Sequence, residues 1–199
     1  MYGSEENGKH SARKGTFFTP AFTLYVVLAL CMRRDLNQKA TVNWMFSVFR
    51  WCTCKLAAHL FSDGALSRAR MRLGSKVFMQ LFHATAELEE LPEDFHGRSS
   101  VSFDGSTCSM IDTPENREAF GRGGSKNGGS GFPKLRMMAM LSVPLRKVLR
   151  VEYDAYTGKG TGERRLLGRI LHTVQCDAWL LFLLDAGLYT FELFDNCRA

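Results

Sequence analysis

The order of apolar and polar positions changes character near residue 98. Before that point the apolar residues come in long helical stretches. Thr19-Pro20 makes a helix start, because threonine caps and proline is tolerated at the first helical position, and an apolar run follows to residue 36. A second apolar, aromatic-rich stretch over 42–61 predicts a helix buried against the first. Ser62 and Ser75 stand as caps for two more helices, over 65–73 and 76–89, the latter ended by Leu91-Pro92. Residues 1–16 are polar and glycine-containing and predict a loose arm.

After residue 98 the period drops to two. Residues 99–104 alternate, with Val101 and Phe103 on one face and Ser102 and Asp104 on the other, as in a strand. A nearly continuous apolar run over 135–143 and a second alternating stretch over 148–153, separated by Pro144, predict two further strands joined by a short turn. Thr161-Gly162-Glu163 opens a helix in which Leu166, Leu167, Ile170, Leu171 and Val174 form one stripe, and that stripe needs a sheet to cover. Residues 178–184 are apolar without a break, which predicts a strand buried on both faces, and Asp185 follows at once. The order is strand, strand, strand, helix, strand. A right-handed crossover then sets the first and fourth strands side by side and makes neighbours of Asp104 and Asp185 at strand carboxyl ends, where open α/β sheets build their sites.

Composition narrows the function only by exclusion. A chain of 199 residues with 45% hydrophobic and 23% charged residues buries a true core, and its net charge of +6 favours polyanionic partners without naming one. The longest apolar run, 21–32, falls short of the roughly 18–20 residues that cross a bilayer and does not resemble a signal peptide, so no membrane partner is expected. Of the 6 cysteines the only close pair, Cys52 and Cys54, has one residue between, unlike zinc or redox motifs; buried reduced thiols and a cytoplasmic protein are expected. The 5 histidines are scattered without ligand spacing, and no Gly-x-Ser-x-Gly elbow accompanies them.

Asp104 and Asp185 remain as candidate chemistry. Two carboxylates held together at a strand edge repel, and a divalent cation relieves the repulsion; hard oxygen ligands select Mg²⁺ or Mn²⁺. Such a site suits two-metal phosphodiester chemistry. The plainer alternative is that Asp104 opens a turn with Gly105 and Asp185 caps the segment before Gly187. Between 117 and 136, Arg117, Arg122, Lys126, Lys134 and Arg136 lie among glycines, a composition suited to following a phosphate backbone or, equally, to a solvated loop. Arg68, Arg72 and Lys76 recur at every fourth position and read either as a DNA-facing helix side or as ordinary solvated charge.

A series of blocks shifts this balance. Asp104-Gly105-Ser106-Thr107, Asp112-Thr113-Pro114-Glu115-Asn116, Phe120-Gly121, Gly131-Phe132-Pro133 with Arg136, Gly162-Glu163 and Leu184-Asp185-Ala186-Gly187-Leu188-Tyr189, in this order, resemble the catalytic region of DDE transposases of the insertion-sequence-four type. Upstream, Ala69-Arg70-Met71-Arg72-Leu73-Gly74 and Leu81-Phe82 resemble that family's helical region. The resemblance implies an α/β fold: an incomplete ribonuclease-H-like domain over 99–199 preceded by an all-helical domain over 17–98. It implies a cut-and-paste DNA transposase that acts on terminal inverted repeats and target DNA, with a homodimer as a possible assembly. In that picture Asp104 and Asp185 are the first two metal-binding acids. The family's third acid is a glutamate expected beyond Ala199, with Glu163 placed at the wrong end of its strand and Glu192 too close to Asp185 to replace it. An inactive or partial copy is therefore expected, or alternatively a non-catalytic DNA-binding or dimerisation fragment. Ala186 and Leu188 stand where the family usually has a basic residue and an aromatic.

Overall fold

The computed structural model describes residues 17–48, 62–86, 91–122, 131–174 and 179–190. The expected arm over 1–16, the second half of the 42–61 stretch, Lys126 and Glu192 lie outside the described residues. The chain divides into two compact units, Met1–Phe82 and His83–Ala199.

In the first unit, α1 (Pro20–Met32) starts as its residues dictate: the Thr19 hydroxyl accepts a hydrogen bond from the Phe22 N–H at 3.2 Å, with proline in the first turn. It stops short of residue 36. Arg33 turns back on Asp35 at 2.8 Å, and the Asn37 side chain accepts from the Ala40 N–H at 2.8 Å, which caps a new helix, α2 (Gln38–Val48). α3 (Asp63–Leu73) ends at Gly74, whose φ of 69° is one that glycine tolerates and other residues resist. α4 (Lys76–Thr85) follows. Phe18, Phe22, Val26 and Ala29 pack with Val42 and Met45 of α2 and Leu66 and Ala69 of α3 into one apolar core, with Phe17 edge-on to Phe18 at 4.8 Å.

The second unit is mixed α/β. Strands β1 (Ser99–Ser109), β2 (Lys134–Ser142), β3 (Lys147–Ala155) and β4 (Leu180–Leu183) form a sheet in the order β3-β2-β1-β4. β2 runs antiparallel to β1 and β3, whereas β4 runs parallel to β1. The crossover between β3 and β4 carries α6 (Glu163–Thr173). Its stripe of Leu166, Leu167, Ile170 and Leu171, with Val174 beyond it, is buried against Val101, Phe103, Met138, Met140 and Leu149, as the sequence pattern requires. Phe182 of β4 joins this core edge-on to Phe103 at 5.6 Å.

Three expectations change. β4 is shorter than 178–184 and is not buried on both faces, since Leu183 is 44% exposed. The β4 residues before it, Leu180 to Phe182, are only partly buried. Asp104 lies in the middle of β1 rather than at its end, because β1 continues to Ser109 as one arm of the long antiparallel pair with β2. Cys31 and Cys108 are free and exposed rather than buried; the other cysteines lie outside the described residues. A short helix, α5 (Pro114–Phe120), was not expected, although Thr113-Pro114-Glu115 repeats the Thr-Pro start of α1 and the Thr113 hydroxyl accepts from the Asn116 N–H at 3.2 Å. No helix among the described residues is long and apolar enough to cross a membrane.

Candidate carboxylate site at the sheet edge

The parallel register between β1 and β4 sets the geometry of the candidate acids. Its last pair is Ser102 with Leu183. Two residues further along each chain stand Asp104 and Asp185, past the last paired position, so each shares the parity of that pair. Phe103 is buried in the α6-facing core and pairs across β2 with Met140; Asp104, one residue on, pairs with Ala139 and is exposed. β4 ends at Leu183, but Asp185 keeps an extended backbone (φ −66°, ψ 145°) and stands before a 3₁₀ turn, Ala186–Leu188.

The plainer roles considered for these acids are not seen. Asp104 is flanked by paired strand residues, not by a turn, and the Asp185 side chain makes no capping hydrogen bond to the turn it precedes. Among the described residues neither carboxylate forms an ion pair with a basic side chain. Exposed carboxylates without a basic partner are oxygen donors of the kind a hard divalent cation takes. They supply two ligands only: among the described residues no three His, Cys, Asp or Glu side chains stand together as a metal centre.

The turn after Asp185 is fixed from two sides. Leu188 is buried in the sheet core, and its N–H donates to the Asp185 carbonyl at 2.9 Å. The Arg164 guanidinium donates from Nε and Nη2 to the Gly187 carbonyl at 3.1 and 3.0 Å. On the other side of the same helical turn, Glu163 lies against β1, so that a Cβ on Gly105 would come within 2.9 Å of the Glu163 carboxyl carbon. The sequence reading put Glu163 at the wrong end of its strand, and this is corrected. β3 and β1 are both antiparallel to β2 and hence parallel to each other, so a helix leaving the carboxyl end of β3 begins at the end to which β1 points. That strand direction was available from the sequence and would have put Glu163 at this end of the sheet.

The basic candidates fare unevenly. Arg117 lies on α5 and binds Asp112 through both ends of its fork, at 2.5 and 2.6 Å, and Arg122 reaches the same carboxylate at 3.6 Å. The paired guanidinium of Arg117 holds the Asp112 carboxyl below its ordinary pKa. Arg136 sits within β2, 4.7 Å above the Tyr156 ring, and donates from Nη1 to the Thr161 carbonyl at 3.2 Å; its Nε is buried without a hydrogen-bond partner. Lys134 shares that ring at 5.5 Å. These cations therefore belong to a helix, a bridge and a strand rather than to one glycine-rich loop. Arg68 and Arg72 are exposed on α3, but Gly74 ends that helix and puts Lys76 on α4, so the three do not form one helical face. His83, His96 and His172 are exposed, as expected of surface residues.

Comparison with protein-family models, with curated proteins and with solved structures gives no match to this chain.

Proposed function

We propose that the sheet unit is the ribonuclease-H-like catalytic part of a DNA transposase of the insertion-sequence-four type, acting by phosphodiester cleavage and strand transfer. The observation that supports this reading is the parallel β1–β4 register in a sheet ordered β3-β2-β1-β4, which ends at Ser102 and Leu183, two residues before Asp104 and Asp185. The residue blocks that resemble the family fall on the elements this chemistry needs: Asp104 on the central strand, Asp185 just beyond its parallel neighbour, and Gly162-Glu163 at the start of the crossover helix. Asp104 and Asp185 would hold Mg²⁺ or Mn²⁺. When bound, such ions activate an attacking oxygen and stabilise the leaving oxygen of a phosphodiester. The chain's own part would be to present the two exposed carboxylates, with the α6 stripe filling the core of the sheet that carries Asp104. DNA carrying terminal inverted repeats is the proposed partner, with homodimerisation and a cytoplasmic setting as further parts of the proposal.

A second reading rests on α3, whose Arg68, Arg70 and Arg72 are all exposed: a DNA-binding fragment without chemistry. One experiment separates the two. Supercoiled plasmid and terminal-repeat duplexes are incubated with the chain and Mg²⁺ beside a gel shift without metal. Mg²⁺-dependent nicking that disappears in Asp104→Asn and Asp185→Asn supports catalysis by this pair. A salt-sensitive shift without nicking supports the binding fragment, and neither nicking nor shift removes both.

A further inference from the structure

The first turn of α6 touches β1 beside Asp104 and the turn that follows Asp185. Glu163 abuts β1 at Gly105, the residue after Asp104, and the contact is close enough that only a residue without a side chain fits without displacement. Arg164, the next residue, places two N–H donors on the Gly187 carbonyl. The Asp185 carboxylate is close to this residue: its Oδ2 lies 3.8 Å from the position a Gly187 Cβ would take. Leu188 is anchored in the core, the turn is closed by the Leu188 N–H to Asp185 carbonyl bond, and the guanidinium ties its Gly187 carbonyl to α6.

We infer that Arg164 is a positioning residue: by fastening the Gly187 carbonyl to the crossover helix, it sets where the Asp185 carboxylate stands relative to Asp104. This rests on the reading of the two aspartates as a divalent-cation site. Arg164 is not a ligand, and a guanidinium beside that site would by charge alone oppose a cation. The two roles therefore differ in sign. If Arg164 acts only through its charge, its removal tightens cation binding; if it acts by holding the turn, its removal loosens binding. A planar fork donating twice to one carbonyl is also a task for which lysine is an imperfect substitute.

The test is a Mn²⁺ titration of the full chain followed by electron paramagnetic resonance, with Mn²⁺ alone as the probe, beside thermal melts of each metal-free variant. Wild type binds; Asp104→Asn and Asp185→Asn abolish binding. Arg164→Ala weakens it about tenfold, in the range usual for loss of a group that orients a metal ligand, while the metal-free melting temperature stays close to wild type. Arg164→Lys recovers part of the loss. Unchanged or tighter Mn²⁺ binding in Arg164→Ala overturns the positioning role and leaves the carboxylate site standing. Wild-type chain that fails to bind, or binding that survives both aspartate substitutions, overturns the carboxylate site and this inference with it. Should Arg164→Ala lose its cooperative melt, Arg164→Lys, which keeps the charge but not the planar fork, takes its place: Mn²⁺ binding weaker than wild type supports the positioning role, and binding equal to wild type or tighter overturns it.

Discussion

On the face of the sheet that α6 covers, Val101, Met138, Met140, Leu149, Leu166 and Leu167 are 0% exposed; on the other, Val151 and Tyr153 are 38% and 51% exposed. The same strands supply both faces, one residue out of phase. β1 shows the consequence most clearly: Val101 and Phe103 go into the core, whereas Asp104 comes out beside Ala139. A strand can carry an ionisable group at its centre only on a face that water reaches, since an unpaired carboxylate in the core is strongly disfavoured. The covered face therefore holds the fold together, and the uncovered one is where a cation or a polyanion has access to it. Arg164 and Leu188 link the two, because the turn they fix lies at the rim.

The contrast is broken most forcefully at the covered face. Leu167→Ala should cost about 2–5 kcal/mol, the range for a fully buried leucine whose space cannot refill, whereas Val151→Thr should stay within about 0.5 kcal/mol; urea melts of the two variants measure the gap. Equal losses would mean that the sheet is covered on both sides.

The contact between the helix and β1 sharpens it further. An alanine at 105 meets the Glu163 carboxyl, so Gly105→Ala should cost more in the wild-type background than beside Glu163→Ala, with a coupling of about 1 kcal/mol in a double-mutant cycle. Additive effects would show that the Glu163 side chain moves aside without cost.

The smallest effect is local and pH-dependent. The carboxyl of Asp112 is held below its ordinary value first by the hydrogen bond from Arg117, so the stability it contributes is complete above the usual carboxylate range and is lost as the pH falls through its lowered value. NMR titration should show α5 resonances shifting at lower pH than those of an unpaired aspartate, with Arg117→Ala returning the midpoint to the ordinary range and the global melt little changed.

Much of this was legible in the residues. The stripe on α6, the alternation over Val101 and Phe103, and the Thr19-Pro20 helix start each depend on chemistry a few residues wide, and such patterns survive folding intact. The neighbourhood of Asp104 and Asp185 followed from a handedness rule applied to element order. What could not be read was set by distant partners. β4 looked doubly buried because its run is apolar, yet burial depends on how many layers cover a sheet. Arg136 looked like a backbone-following cation, yet Tyr156 and the Thr161 carbonyl hold it against the protein. Arg164 had no local signature at all, since its partner is a peptide carbonyl, Gly187, on the far side of the crossover.

The pairing of the two acids around one cation is most directly tested by adding substoichiometric Mn²⁺ to isotopically labelled chain and recording which backbone amides broaden. One site shared by both strands should broaden the amides around Asp104 and around Asp185 together, at the same metal concentration, with both sets restored by Asp104→Asn. Broadening confined to one of the two segments, or spread over surface acids with no preference, would contradict it.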